Sequence, residues 1–180
     1  MTFSLVRDMA YQRASDRRPE IIISEWRGTC SGKHYLLQKL FAELGLESQI
    51  MACTSIELVD PGDIPDSLHS LYEAANRRFV DVHNYLLLDV PGGGRMIVDA
   101  TFPLSARSSG FVVNEQFILG QDQKLAANPI DTFSIPPGRD AQEFKDELLH
   151  KYFTPEELEF REVVIKAISS GSASAEPTTT

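Results

Sequence analysis

Arg27-Gly28-Thr29-Cys30-Ser31-Gly32-Lys33-His34-Tyr35-Leu36-Leu37-Gln38-Lys39-Leu40-Phe41-Ala42-Glu43-Leu44-Gly45 is the stretch that decides the fold. Leu36, Leu37, Leu40, Phe41 and Leu44 recur at spacings of three and four, the period of one helical face. Gly45 can take positive φ just past the last turn, so it is a natural stop. A helix is predicted from Cys30 to Leu44, with the cysteine in its first turn. A thiol there feels the positive end of the helix dipole and unpaired N–H groups, and both favour thiolate over thiol. Thr29, Ser31 and Gly32 are small and leave room for a substrate carbonyl, while the backbone N–H groups beside them can bind a developing oxyanion. The competing reading is a buried structural cysteine, because free Cys is among the most buried residue types. That reading holds for Cys53, which sits among apolar residues in the middle of a strand.

Working outward, a short helix is predicted over Phe3–Gln12, and Ile21–Ile23 reads as either a short buried strand or an approach to the core. Ser48–Leu58 reads as a strand, and a turn-rich stretch, Asp60–Pro65, closes it. A helix capped by Asp66 or Ser67 carries Leu68, Leu71, Tyr72 and Ala75. Phe79–Val90 and Arg95–Thr101 read as strands joined by Pro91-Gly92-Gly93-Gly94, a hairpin signal. The pattern weakens over 102–139, with strands predicted at Phe111–Val113 and Gln116–Leu119. Helices follow at Ala141–Tyr152 and Glu156–Ser169. Their acidic clusters read as solvated faces, with Lys145, Lys151 and Arg161 as ion-pair partners.

His83 and Asp99 lie on successive strands. If the hairpin loop is Asp89–Gly93, Leu88 faces Gly94, Leu86 faces Met96 and His83 stands directly opposite Asp99. Cross-strand neighbours have Cβ atoms roughly 4.5–5.5 Å apart, which suits an imidazole–carboxylate hydrogen bond. A carboxylate placed there fixes the imidazole tautomer and stabilises the imidazolium. The alternative is a His and an Asp that merely face solvent.

A cysteine at a helix start, then a histidine in one strand and an aspartate in the next, resembles the transglutaminase-like superfamily. The resemblance rests on GTCSGKHYLLQKLFAELGLES, on HNY at His83–Tyr85 and on VDATF at Val98–Phe102, and spans about residues 24–103. Tyr85 stands where that family often has tryptophan. The resemblance implies an α+β fold with a papain-like core, the nucleophile helix packed on an antiparallel sheet. It also implies Cys30 as nucleophile, His83 as general base and acid, and Asp99 as orienter. The chemistry implied is cysteine-dependent acyl transfer on an amide, ester or thioester carbonyl, with water or an amine as acceptor. Trp26, Thr29, Ser31 and Tyr85 are the candidate substrate-binding residues, although a large aromatic such as Trp26 is more often core. The chain is also similar to arylamine N-acetyltransferases, which use Cys, His and Asp in the same order. Only 29 residues precede Cys30, however, little space for their N-terminal helical domain. A non-catalytic protein- or peptide-binding module of the same fold is the rival from another class.

The chain has 180 residues, 42% hydrophobic and 24% charged, which fits one domain, predicted over 1–168. The tail 169–180 is rich in Ser, Thr and Ala and reads as disordered. A formal charge of −9 repels phosphate backbones, so neither nucleic acid nor an anionic membrane surface is an expected partner. The expected partner is a protein, peptide or small-molecule acyl substrate. The start, MTFSLVRDMAYQR, is broken by charges and is neither a secretory signal nor a membrane span. With two cysteines only, a reduced cytoplasmic setting is expected. His34 lies four residues after Cys30, but a zinc site needs two further ligands at matching spacing and none is present, so no metal or cofactor is expected.

Overall fold

In the computed structural model, which describes residues 1–136 and 138–170, helices and one mixed-length sheet pack as an α+β domain. The helices are α1 (Thr2–Arg7), α2 (Pro19–Glu25), α3 (Cys30–Glu43), α4 (His69–Ala74), α5 (Ala141–Tyr152) and α6 (Pro155–Ser169). The strands are β1 (Ser48–Leu58), β2 (Arg78–Asp89), β3 (Arg95–Val98) and β4 (Pro129–Ser134). They form a single antiparallel sheet in the order β3-β2-β1-β4. The predicted tail falls mostly at 171–180, outside the described residues, while Ser169 closes α6.

The long β1–β2 pairing, from Ser48↔Leu88 to Leu58↔Arg78, is the spine of the molecule. Val80 to Leu86 are all buried, because helices cover β2 along its length. Leu36, Leu37 and Phe41 of α3 pack with Leu86, Leu88, Met96 and Val98 in the main core. Val80, Val82 and Ala52 pack with Leu148, Leu149 and Phe153 from α5 and its end. Phe160 of α6 packs with Tyr72 and Ala75. Burial of this kind contributes about 25 cal/mol per Å² of apolar surface, so these three clusters fix where each helix sits on the sheet.

Some elements depart from the sequence expectation. Ile21–Ile23 is helical: Pro19 sits in the first turn of α2, where its missing N–H costs nothing, and only Ile22 of the three is buried. Residues 111–113 and 116–119 form no strand. That segment leads instead to Asp122 and Gln123, which serve the outer edge of β3: Ile97 N–H donates to Asp122 Oδ1 and Gln123 N–H to the Ile97 carbonyl. The β4 edge strand was not expected, being short, mostly exposed and begun by a proline. No helix among the described residues is long and apolar enough to cross a membrane.

The hairpin register also differs from expectation. Asp89 pairs with Arg95, Leu88 with Met96 and Leu86 with Val98. Gly92, Gly93 and Gly94 all take positive φ, so the whole glycine run is used up in the loop and the pairing shifts by two residues. An even shift keeps every side chain on its own face. Carried past the end of β3, this register puts Thr101 rather than Asp99 opposite His83, and Asp99 meets the imidazole on the diagonal instead.

Candidate active site

Cys30 is the first residue of α3, and Thr29 precedes it in extended conformation without a side-chain cap. Among the described residues the N–H groups of Cys30, Ser31 and Gly32 have no acceptor, as the opening of a helix dictates. The entry to this turn is tight. A Cβ at Gly32 would lie 2.6 Å from Ile22 Cδ1, so with any larger residue the Ile22 side chain has to move for α2 to keep its place on α3. Ser31 Oγ donates to Asn84 Oδ1 at 2.8 Å, and Asn84 Nδ2 donates to the Met51 carbonyl at 3.1 Å. Ser31 thus ties α3 to β2 and, through it, to β1.

The His83 and Asp99 side chains meet at 2.8 Å, Nε2 to Oδ2, with both buried. Asp99 is held from every side: Oδ2 accepts from Ala126 N–H at 2.7 Å, Oδ1 from Thr101 N–H at 3.0 Å, and its own N–H donates to Gln123 Oε1 at 2.8 Å. Burial pushes the Asp99 carboxyl up, but the charge and hydrogen bond of His83 outweigh it and hold it well below the usual carboxylate range. Burial likewise disfavours the imidazolium, yet Asp99, with Cys30, raises His83 well above its ordinary value. With Nε2 taken by Asp99, Nδ1 is the nitrogen left for Cys30.

The thiol is the third member. Cys30 is 3% exposed. Burial pushes it up, but the Lys145 ammonium first, then the nearby His83, bring it down from 9.0 to about 6. Both shifts favour the thiolate–imidazolium form of the pair. Lys145 Nζ lies 3.7 Å from Cys30 Sγ and 3.6 Å from Asp81 Oδ1. Arg161 reaches the same Asp81 oxygen through Nε at 2.8 Å and Nη2 at 2.6 Å. Lys145 and Arg161 are 4% and 7% exposed, so their placement on solvated helix faces is corrected, although Arg161 Nη1 does pair with Glu162 of the acidic cluster at 2.5 Å. Their signal was present in the sequence: Lys145 shares its face of α5 with Leu148 and Leu149, and Arg161 lies between Phe160 and Ile165.

His34 and Lys33 brace the site. His34 Nδ1 donates to the Cys30 carbonyl at 2.7 Å, and its Nε2 accepts from Ala100 N–H at 2.9 Å. That arrangement fixes a neutral ring, and burial takes it down to about 4. Asp99 Oδ1 lies 3.7 Å from His34 Nε2, but the Ala100 amide occupies that nitrogen, so His34 is a strut and not a base. Lys33 Nζ donates to the Arg7 and Thr101 carbonyls at 2.8 and 2.9 Å, and burial lowers it to about 7. Both side chains bind the start of α3 to the segment carrying Asp99.

Thr29, Cys30, Asp81, Lys145 and Arg161 line a cavity of about 290 Å³, which Tyr11 also lines. A second cavity, about 540 Å³, lies against His83 and Thr101, with walls from Phe79, Phe102 and Phe111. Tyr11 and Asp81 border both. Of the other sequence candidates, Trp26 caps α2 in the left-handed region at φ 53 and is 51% exposed, neither core nor part of either cavity. Tyr85 is buried opposite Met51 and lines neither cavity. Cys53 stands directly opposite His83, fully buried, its thiol pushed up to about 11 by that burial. No group of three or more His, Cys, Asp or Glu among the described residues could hold a metal ion. Comparison with family models, with curated proteins and with solved structures finds no match for this chain.

Proposed function

We propose that the protein is a cysteine-dependent acyl-transfer enzyme of transglutaminase-like type, built on a papain-like core. One observation carries the reading: the buried Cys30 thiol at the start of α3, lowered to about 6, shares a site with an imidazole held by a buried aspartate at 2.8 Å. A binding module has no use for a thiolate–imidazolium pair oriented in this way. Keeping one in the interior costs stability unless the charges are matched.

In the reaction, the Cys30 thiolate adds to the carbonyl carbon of an amide, ester or thioester. The C–S bond forms as the carbonyl π pair moves onto oxygen. When that pair returns, the bond to the leaving group breaks, and the leaving group takes the proton of the His83 imidazolium. The resulting thioester is then attacked by water or an amine, which gives a proton back to His83 as the acyl group leaves sulfur. Asp99 holds the imidazole in place throughout and offsets its charge. The cavity of about 290 Å³ beside Cys30 has room for an acyl group of side-chain size.

The test uses p-nitrophenyl acetate as a generic acyl donor. Mass spectrometry of the digested protein should find acetyl on the peptide containing Cys30, removable by hydroxylamine, and His83→Ala should lower its rate of formation by about 10²-fold or more. Acetylation confined to lysines, or equal labelling of Cys30 in the variant, would remove the basis for the reading.

A further inference from the structure

We infer that the Tyr11 hydroxyl is the second oxyanion donor of this site, acting with the Cys30 backbone N–H. The inference rests on the acyl-transfer reading and supplies what that chemistry lacks. Attack on a carbonyl places a full negative charge on its oxygen, and preorganised donors about 2.7–3.1 Å from it are commonly the largest single contribution to rate. The start of α3 offers one set, the unpartnered N–H groups of Cys30, Ser31 and Gly32. All of them approach from the helix side. A donor is needed from across the cavity, and the segment just before Cys30 has no Gln to provide it.

Tyr11 lines that cavity. The segment carrying it is fastened to the approach to Cys30 by a parallel bridge, Ala10↔Arg27, in which Gly28 N–H donates to the Ala10 carbonyl at 3.1 Å. Its ring packs on Phe102, centroids 4.7 Å apart, and Phe102 in turn on Phe111 at 4.3 Å. Phe102 follows Thr101, whose carbonyl is held by Lys33. The phenol is therefore positioned from two sides, by the chain entering Cys30 and by the chain leaving Asp99. Its hydroxyl has no hydrogen-bond partner among the described residues and is not sealed from solvent, so it is free to bind a group that enters the cavity.

The electrostatics agree. The hydroxyl lies within reach of the charges of Cys30, Asp81, Arg161 and Arg13, all of which line the same cavity. Burial, with the negative charges of Cys30 and Asp81, keeps its proton on to well above the ordinary tyrosine value. A phenol in that state is a donor at every pH at which the thiolate–imidazolium pair exists. Several other donors near the site are engaged or lie elsewhere. Lys145 is engaged with Cys30 Sγ and Asp81. The Gln142 amide nitrogen donates to Asp146 at 2.6 Å, and Tyr35 does not line this cavity.

Tyr11→Phe removes one oxygen and keeps the ring stack. Two reagents separate the roles of that oxygen. Acetylation of Cys30 by p-nitrophenyl acetate passes through an oxyanion, whereas alkylation by iodoacetamide is displacement at a saturated carbon and does not. The expected result is a fall in the acetylation rate of roughly 10²-fold with the alkylation rate unchanged, the latter also certifying an intact, folded site. Equal acetylation in wild type and variant overturns the inference. So does a parallel loss of both reactions, which would mean that the hydroxyl serves the thiolate or the packing. If wild type is alkylated rapidly but never acetylated, the acyl-transfer reading itself fails, a result distinct from either.

Discussion

Replacing Lys145 by Met tests what holds the Cys30 thiolate. The ammonium lies 3.7 Å from the sulfur, and two unit charges at that separation attract by about 4 kcal/mol at an effective dielectric constant near 20. At 1.36 kcal/mol per unit, that is about three pH units, so losing Lys145 should return the thiol from about 6 to the neighbourhood of its ordinary 9.0. At pH 7 the thiolate fraction then drops from about nine-tenths to about one-hundredth, and alkylation slows on the order of 10²-fold. The assay is iodoacetamide labelling across pH, with peptides resolved by mass spectrometry. Cys53, buried with its thiol at about 11, serves as the internal control for folding, since it stays unreactive while the core is intact. Lys145→Arg, which keeps the charge, should leave the midpoint low. A midpoint that remains near 6 in Lys145→Met would refute the argument and leave His83 alone as the source of the thiolate.

Two further outcomes concern stability. His34 holds its neutral form down to about 4 in the folded protein, against 6.5 in the unfolded chain, so the unfolded chain binds the extra proton between those values. Stability contributed by the neutral ring is present above 6.5 and lost as pH falls, by about 2 kcal/mol between pH 7 and 4.5; urea denaturation of His34→Gln at the two pH values should show that much less of a difference than wild type, and an unchanged difference would count against the assignment. Gly32→Ala places a methyl 2.6 Å from Ile22 Cδ1 and should cost about 1–3 kcal/mol. Ile22→Val removes that carbon, so the double variant should be less destabilised than the sum of the two single changes, and simple additivity would rule the contact out as the cause.

What could be read in the sequence was what has a local cause. The spacing of Leu36, Leu37, Leu40 and Phe41 and the stop at Gly45, at φ 73, placed α3 and with it the thiol. β1 was legible from Ser48 to Leu58 because its apolar run is bounded by turn formers. The His83–Asp99 contact was legible as a pairing of two strands but not in its geometry. The register depends on how many loop residues take positive φ, and three successive glycines leave that open until the loop closes. Lys145 and Arg161 were misread for a different reason. A charge on an amphipathic helix defaults to solvent, and only a partner distant in sequence overrides that default. Asp81, on β2, is that partner for both.

Those six groups also explain why the thiol ionises in so dry a place. Cys30, His83, Asp99, Asp81, Lys145 and Arg161 are all buried; contacts run from Cys30 through Lys145 and Asp81 to Arg161, His83 pairs with Asp99, and His83 and Cys30 feel one another's charge. Three can be negative and three positive, and unpaired charge in an interior costs several kcal/mol. The cluster balances with Cys30 as thiolate and His83 as imidazolium, as it does with both neutral, and the Lys145 ammonium beside the sulfur favours the charged pair. Protonating the thiol alone leaves one positive charge in excess, so the surroundings resist it. In the proposed reaction, acylation of Cys30 removes the thiolate charge and creates the same excess, which disappears when His83 passes its proton to the leaving group. The electrostatic arrangement that holds the nucleophile ready therefore also drives the acid step that follows. Replacing Asp81 with Asn would tip the balance positive from the outset, and for the same reason should lower the thiol further rather than raise it.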